Sequence, residues 1–128
     1  MATLTDKHLE LLRGKSFAAV ATLKEDGAPQ TSIVWVDTDG ENVVFNTTNS
    51  RAKGRHLRRD PRISVTVFDA ESPYRYFEVE GRAELDTIGA DEHISELSRK
   101  YRGEDFHTPV DRVIVRVRPE RIFDYGLD

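Results

Sequence analysis

The sequence predicts one mainly β domain, residues 1–128, in which an antiparallel barrel is flanked by helices. Apolar and polar side chains alternate from Phe77 to Leu85, which is the period of a half-buried strand. Short turn sequences at 25–27 and 37–40 join the first three predicted strands. Such tight turns favour antiparallel pairing over β-α-β units.

The first 45 residues contain one short helix and three strands. Thr5 is a suitable N-cap for the helix, and Gly14 ends it. The apolar segment 17–23 predicts the first strand, and residues 30–36 are extended beyond the first turn. Residues 43–45 open the third strand.

A second helix is expected from Arg51 to Arg59, with Asn49 or Ser50 as its N-cap. It ends before Pro61, because the residue that precedes a proline resists helical geometry. The alternating segment 63–67 predicts a fourth strand. The fifth predicted strand is the segment from Phe77 to Leu85 described above.

The last third of the chain predicts a helix across 88–101, a polar loop at 102–111 and a final strand at 113–117. This strand is expected to end near Pro119, and residues 122–125 could add a short edge strand. The apolar side chains at helical spacing are Ala90, Ile94, Leu97 and Tyr101.

The composition excludes several classes of protein. Cysteine is absent, which excludes disulfides, thiolate nucleophiles and cysteine-ligated metals. No apolar run has membrane-spanning length, and the first residues lack a signal-peptide core, so we expect a cytoplasmic protein without a membrane partner. The histidines share no metal-ligand spacing and are expected at the surface; they are His8, His56, His93 and His107.

Positive charge is concentrated in one segment of an acidic chain. The net charge is −4, but residues 51–62 contain six Lys or Arg and one Asp. This segment has a formal charge of +5, which leaves −9 for the remaining residues. The contrast indicates a discrete anionic ligand, and no nucleic-acid partner is expected because aromatic residues are not interleaved with the basic ones.

The start of the second helix is a candidate phosphate site. Thr47 and Thr48 end the preceding strand, Ser50 lies near the cap, and Arg51 and Lys53 lie in the first turn. A helix N-terminus favours an anion and disfavours cations, so two cations there are explained by a phosphate bound between them. A solvated basic helix with nothing bound is the alternative that the sequence leaves open.

Two other segments are candidates for contact with a planar ring. The strand 30–36 could form a wall beside the ring, or be an ordinary strand with Trp35 in the core. Tyr74 and Tyr76 flank an arginine, which is typical of a contact surface for a ring or a partner subunit, but equally of a mobile loop. The candidate wall residues are Ser32, Ile33, Val34 and Trp35.

Four motifs in the chain resemble those of the split-barrel flavin and deazaflavin oxidoreductases, the group that includes the pyridoxamine 5′-phosphate oxidases. The resemblance is greatest to the branch that uses the deazaflavin coenzyme F420, and it covers nearly the full length. The motifs are DGAPQ at 26–30, SRAK at 50–53, LRRDPR at 57–62 and EVEGRA at 78–83.

This resemblance implies a six-stranded antiparallel split β-barrel of the FMN-binding type, and a homodimer with a cofactor at the subunit interface. Arg51 and Lys53 would hold the cofactor phosphate, and residues 32–35 would run beside its ring. Tyr74 and Tyr76 would reach the ring from the partner chain. The residues nearest the phosphate would also include Thr47, Thr48 and Ser50.

The function implied by the resemblance is hydride transfer from coenzyme F420 to a small, electron-poor organic substrate. The cofactor carries the chemistry, so no catalytic side chain is assigned. An FMN-dependent enzyme like the pyridoxamine phosphate oxidases, or a non-enzymatic cofactor-binding module, are the alternatives. FMN-dependent members usually have adjacent Arg and Lys and a ring-facing Arg, whereas here Ala52 intervenes and Ser32 stands in the strand.

Overall fold

Seven antiparallel strands form one curled sheet in the computed structural model, which describes residues 2–128. The strands are β1 (Ser16–Leu23), β2 (Pro29–Val34), β3 (Asp37–Thr38), β4 (Val43–Thr48), β5 (Arg62–Asp69), β6 (Tyr76–Asp86) and β7 (Arg112–Tyr125). The helices are α1 (Asp6–Arg13), α2 (Ala52–Arg59) and α3 (Ala90–Arg102).

The sheet curls without closing. Its strand order is β2-β1-β5-β6-β7-β4-β3, and within residues 2–128 no ladder joins β2 to β3 or β4. This open seam makes the structure a split barrel, which confirms the predicted mainly β fold. The structure has one strand more than the six that the resemblance implies. The additional strand is β3, which has only two residues and occupies the first half of the segment predicted as a turn at 37–40.

Apolar side chains from the curled sheet fill the core. Phe77 and Val79 of β6 are fully buried, as the alternating pattern predicts. Ile63, Val65 and Val67 of β5 point into the same cluster. Further buried members include Ala18, Val20, Phe45, Val115 and Val117.

Strand β7 does not end near Pro119 but continues to Tyr125, so that part of the prediction is wrong. Beyond Val117 the strand pairs only with β6, which leaves Pro119 free of any neighbour on its β4 side. A register shift between Glu80 and Gly81 accommodates the proline. A side chain at Gly81 would meet the Arg118 carbonyl at 2.0 Å, so the bulge requires glycine.

Helix α3 bridges the open seam. The Lys100 ammonium donates to the Leu12 carbonyl (2.6 Å) and the Val36 carbonyl (2.8 Å). The Tyr101 hydroxyl donates to the Ser16 carbonyl (2.6 Å) and accepts the Val36 N–H (3.1 Å). Side chains of α3 therefore satisfy backbone carbonyls at the end of α1, at the start of β1 and just after β2.

Two histidines lie inside the protein, contrary to the expected surface positions. His8 is 3% exposed; its Nδ1 accepts the Thr5 N–H (2.9 Å), and its Nε2 lies 2.6 Å from the Asp124 carboxylate. His56 is buried with its Nδ1 2.8 Å from the Thr22 hydroxyl. Burial is tolerated because distant parts of the chain supply hydrogen-bond partners for the rings.

The longest helix, α3, has 13 residues, and among residues 2–128 no helix has the length and apolar content of a membrane span.

Replacing Lys100 tests the bridge across the seam. Lys100→Met removes both hydrogen bonds to carbonyls, so we expect it to lower the free energy of unfolding by about 1–3 kcal/mol. Arg99→Met is the matched control, since the neighbouring Arg99 makes only exposed ion pairs, and it should cost about 0–1 kcal/mol. Urea denaturation measures both; equal losses would contradict the bridging role of Lys100.

Candidate functional site

Helix α2 packs unusually close to the end of β4. A Cβ atom at Gly54 would lie 2.3 Å from the Thr48 carbonyl oxygen, so only glycine permits this approach. The N-cap is Arg51 and not Asn49 or Ser50, which corrects the predicted cap. The Thr48 hydroxyl, three residues earlier, accepts the Arg51 N–H (3.0 Å), while no side chain among residues 2–128 caps the N–H groups of the first turn.

The basic segment 51–62 divides into two groups. Arg58 donates to the Asn49 carbonyl (3.0 Å), Arg59 donates to the Leu23 carbonyl (2.5 Å), and Arg55 bonds the Ser50 carbonyl. These side chains fasten α2 to the sheet and its turns. Arg62 forms an ion pair with Asp60 (2.7 Å). Of the six cations, only Arg51 and Lys53 line the cavity described next.

A cavity of about 300 Å³ lies at the open seam, between β2, β4, α2 and α3. Its wall combines aromatic and aliphatic side chains with three cations. The lining residues are Phe17, Ile33, Val34, Trp35, Asn46, Thr47, Arg51, Lys53, Ile94, Leu97, Phe106 and Arg112.

Six of the residues proposed from the sequence come together around this cavity: Ile33, Val34, Trp35, Thr47, Arg51 and Lys53. Ser32 adjoins it, because its hydroxyl accepts a hydrogen bond from the Lys53 ammonium (3.0 Å). Thr48 supports the α2 cap, and the Ser50 hydroxyl lies 3.4 Å from that of Thr48. Tyr74 and Tyr76 do not line the cavity of their own chain.

Sequence reasoning missed the wall contributed by β7 and the loop after α3. Arg112 donates from Nε to the Asn46 amide oxygen (2.7 Å), and its guanidinium lies 5.2 Å from the centre of the Phe106 ring. The amide nitrogen of Asn46 in turn donates to the Ala90 carbonyl (3.0 Å). Only the register of β4 and β7, which places Arg112 opposite Thr48, brings these residues to the site.

The cavity is positively charged and no acidic side chain lines it. Burial, reinforced by the charge of Arg51, lowers the pKa of the half-buried Lys53. Burial and Arg51 likewise lower the pKa of Arg112, against the opposing effect of Asp91. Both shifts have the sign expected where cations crowd a partly desolvated space. An anion bound in this space would relieve that repulsion.

One buried hydroxyl in the cavity wall is unsatisfied. The Thr47 Oγ1 is buried and has no hydrogen-bond partner among the described residues. Thr47 shares its strand face with the core residue Phe45, and its hydroxyl has almost no accessible surface, so it is closed to a ligand in the cavity. Nearby, the Trp35 ring stacks on Tyr101 with 5.4 Å between centroids and an angle of 6°, which fixes a flat aromatic wall.

Comparison with known proteins identifies the family. The family model for pyridoxamine 5′-phosphate oxidase matches residues 4–126. The chain belongs to this family. Its membership confirms the resemblance found in the sequence. Proteins of the family bind FMN or F420, and the match supports an oxidoreductase function for this chain.

Solved structures of other proteins share the fold. A protein named F420 reductase is 31% identical, with a TM-score of 0.82 over 94% of this chain and 98% of its own. A conserved hypothetical protein from Mycobacterium tuberculosis is 21% identical, with a TM-score of 0.80 over 97% and 86%. General Stress Protein 26 from Bacillus anthracis is 18% identical, with a TM-score of 0.72 over 94% and 92%.

Two histidines, His56 and His93, have pKa values below the ordinary histidine value. Among residues 2–128, no group of three or more His, Cys, Asp or Glu is placed to hold an ion. Burial, with the charges of Arg59 and Arg55, lowers the pKa of His56. Burial and Arg116 lower the pKa of His93, whose Nδ1 lies 3.0 Å from the Asn46 amide nitrogen.

These two shifts make stability depend on pH. The folded-state pKa values lie below the ordinary histidine value of about 6.5, so the unfolded chain binds more protons as the pH falls. The free energy of unfolding should therefore decrease between about pH 7.5 and about pH 5.5. His56→Gln should flatten this decrease, as measured by urea denaturation across that range. The exposed His107→Gln is the control, and an equal flattening there would contradict the assignment.

Proposed function

We propose that the protein is a coenzyme F420-dependent oxidoreductase that reduces a small, electron-poor organic substrate. The observation that carries the proposal is the convergence of Arg51, Lys53 and the start of α2 on a cavity that no acidic side chain lines. The 31% identity to a protein named F420 reductase, over nearly the whole of both chains, supports the choice of cofactor.

Arg51 and Lys53 would bind the cofactor phosphate. Cations at the N-terminal end of a helix are disfavoured by the helix dipole, and a phosphate reverses that effect. The Arg51 guanidinium can bind two phosphate oxygens at once, while Lys53 contributes a point charge that Ser32 holds on the β2 side.

Strand β2 and its continuation would hold the ring. β2 is an edge strand paired only with β1, so its outer backbone groups are free of strand partners within residues 2–128. Ile33 and Val34 supply apolar contacts, and Trp35 is fixed by its stack on Tyr101. A planar ring with hydrogen-bonding edges suits this combination of an apolar wall and free amides.

The chain's own contribution is binding, orientation and electrostatics. When bound, a reduced deazaflavin supplies the hydride. The lining residues include no His, Asp or Glu, so the proton that completes the reduction would come from solvent. The cations hold the phosphate end fixed, and the side chains of Phe17, Ile94 and Leu97 restrict water on the other side.

A second copy of the chain would complete the site. Ile33 is 60% exposed beside the cavity, and Tyr74 is 81% exposed although neither it nor Tyr76 reaches the cavity of its own chain. Tyr76 stacks on Tyr125 (5.3 Å between centroids), and with Phe123 they form an exposed aromatic group suited to a subunit interface. A homodimer would bring the Tyr74 and Tyr76 segment of one protomer to the cavity of its partner.

An FMN-dependent enzyme is the second candidate, because the matching family model is that of pyridoxamine 5′-phosphate oxidase. Two residues weigh against it: Ala52 separates the two basic residues, and Ser32 occupies the ring-side strand where FMN-dependent members usually have an arginine. Titration of the purified protein with F420 and with FMN distinguishes the two. A firmly bound yellow flavin would refute F420 dependence, and F420 binding without turnover of any acceptor would indicate a carrier.

Removing both phosphate-site cations should abolish tight cofactor binding. Arg51→Ala with Lys53→Ala removes two charge-assisted contacts, so F420 affinity should fall about 30- to 1000-fold, as measured by fluorescence titration. Arg118→Ala with Arg121→Ala is the matched control, since it removes the same charge from exposed ion pairs of β7 outside the cavity. Near-normal binding by the first variant, or an equal loss in the control, would refute the phosphate site.

A further inference from the structure

Arg112 differs from the other arginines of β7 in its neighbours. Each of the other three pairs with a carboxylate from β6, namely Arg116 with Asp86, Arg118 with Glu84 and Arg121 with Glu80. The last residue of β6 pairs with Ile114, so Arg112 lies beyond the end of that strand. No ion pair to Arg112 exists among residues 2–128.

The Arg112 side chain is nevertheless held in place. Its Nε donates to the Asn46 amide oxygen (2.7 Å), and Phe106 covers the guanidinium at 5.2 Å. The Asn46 amide nitrogen is fixed by the Ala90 carbonyl (3.0 Å) and lies 3.0 Å from His93 Nδ1. The terminal nitrogens of Arg112 make no hydrogen bond to the described residues. A cation fixed in this way is preorganised for a ligand.

Arg112 lies near enough to Arg51 for the charge of Arg51 to lower its pKa, but it is anchored to a different wall of the cavity from Lys53. Lys53 is tied to the β2 wall by Ser32 (3.0 Å), whereas Arg112 is tied to β4 by Asn46. The two cations therefore approach one cavity from different walls. A ligand spanning the cavity, or two ligands bound side by side, could present an anion to each.

We infer that Arg112 binds a carboxylate in the cavity, in addition to the phosphate at Arg51 and Lys53. Two free guanidinium nitrogens match the two oxygens of a carboxylate. Asn46 is the positioning residue that orients them. The inference rests on the proposed function for the identity of the neighbouring ligand. The carboxylate belongs either to the acceptor, which is then an organic acid, or to the anionic tail of F420.

Binding of a planar probe to the cofactor-free protein tests this inference without turnover. With inorganic phosphate present to occupy Arg51 and Lys53, we expect calorimetry to show trans-cinnamate binding about tenfold or more tighter than the uncharged cinnamamide. Arg112→Gln should abolish that preference, and Arg121→Gln, on the same strand but outside the cavity, should keep it. Absence of the preference in the wild-type protein, or its survival in Arg112→Gln, overturns the inference.

Asn46→Asp is a second variant, which changes the residue that Arg112 bonds and so tests whether the free charge of Arg112 selects the carboxylate. The new carboxylate would lie beside Arg112 and neutralise it internally, so the preference for cinnamate should disappear while the circular dichroism spectrum is unchanged. Survival of the preference in this folded variant would show that the free charge of Arg112 does not select the carboxylate, and that result overturns the inference.

Titration with F420 and with its phosphorylated analogue that lacks the carboxylate tail distinguishes the two sources. If Arg112→Gln weakens binding of F420 alone, the carboxylate is that of the tail; if it affects neither, the carboxylate is that of the acceptor. Equal weakening of both would place Arg112 at the phosphate and overturn the inference. Failure of F420 to bind the wild-type protein refutes the proposed function but leaves the cinnamate result to decide on Arg112.

Discussion

The sheet remains open between β2 and β4, and the rest of the structure depends on that gap. A closed ladder there would fill the space that the cavity occupies. Instead α3 spans the seam, contacting β4 through Asn46 near its start and the backbone at Val36 through Lys100 and Tyr101 near its end. The same open edge of β2 leaves Ile33 exposed, where a second copy of the chain could cover it.

Charge is used for two different purposes within one short helix. The outer arginines of α2 bond backbone carbonyls, so that they fix the helix against the turns that surround it. This firm attachment, together with the close contact at Gly54, holds Arg51 and Lys53 at the cavity. These cations repel one another, and among residues 2–128 no carboxylate in the cavity wall offsets the repulsion. The cavity therefore has an affinity for anions.

The buried faces of β6 and α3 and the basic segment 51–62 could be predicted, because each depends on residues that are close together in the sequence. The alternation in β6 and the spacing in α3 define buried faces without knowledge of neighbours, and both are present in the structure. The concentration of cations at 51–62 also identified the helix that borders the cavity. The position of Arg51 and Lys53 at the helix start also separated them from the other cations. The bonds made by the remaining arginines could not be predicted, because carbonyls such as that of Leu23 approach only in the folded chain.

Non-local pairing determines the features that sequence reasoning missed. Arg112 reaches the cavity because β7 is registered against β4, and Pro119 is accommodated because only one side of β7 is paired at that point. His8 is buried because Asp124, near the opposite end of the chain, lies beside its ring. Each of these outcomes depends on contacts between residues far apart in sequence, which no local pattern encodes.

A crystal structure of the protein with coenzyme F420 would test the central claim most directly. The account predicts the phosphate within hydrogen-bonding distance of Arg51 and Lys53 at the start of α2, with the ring beside β2 at the seam. A phosphate bound elsewhere, with Arg51 and Lys53 contacting only solvent, would contradict it.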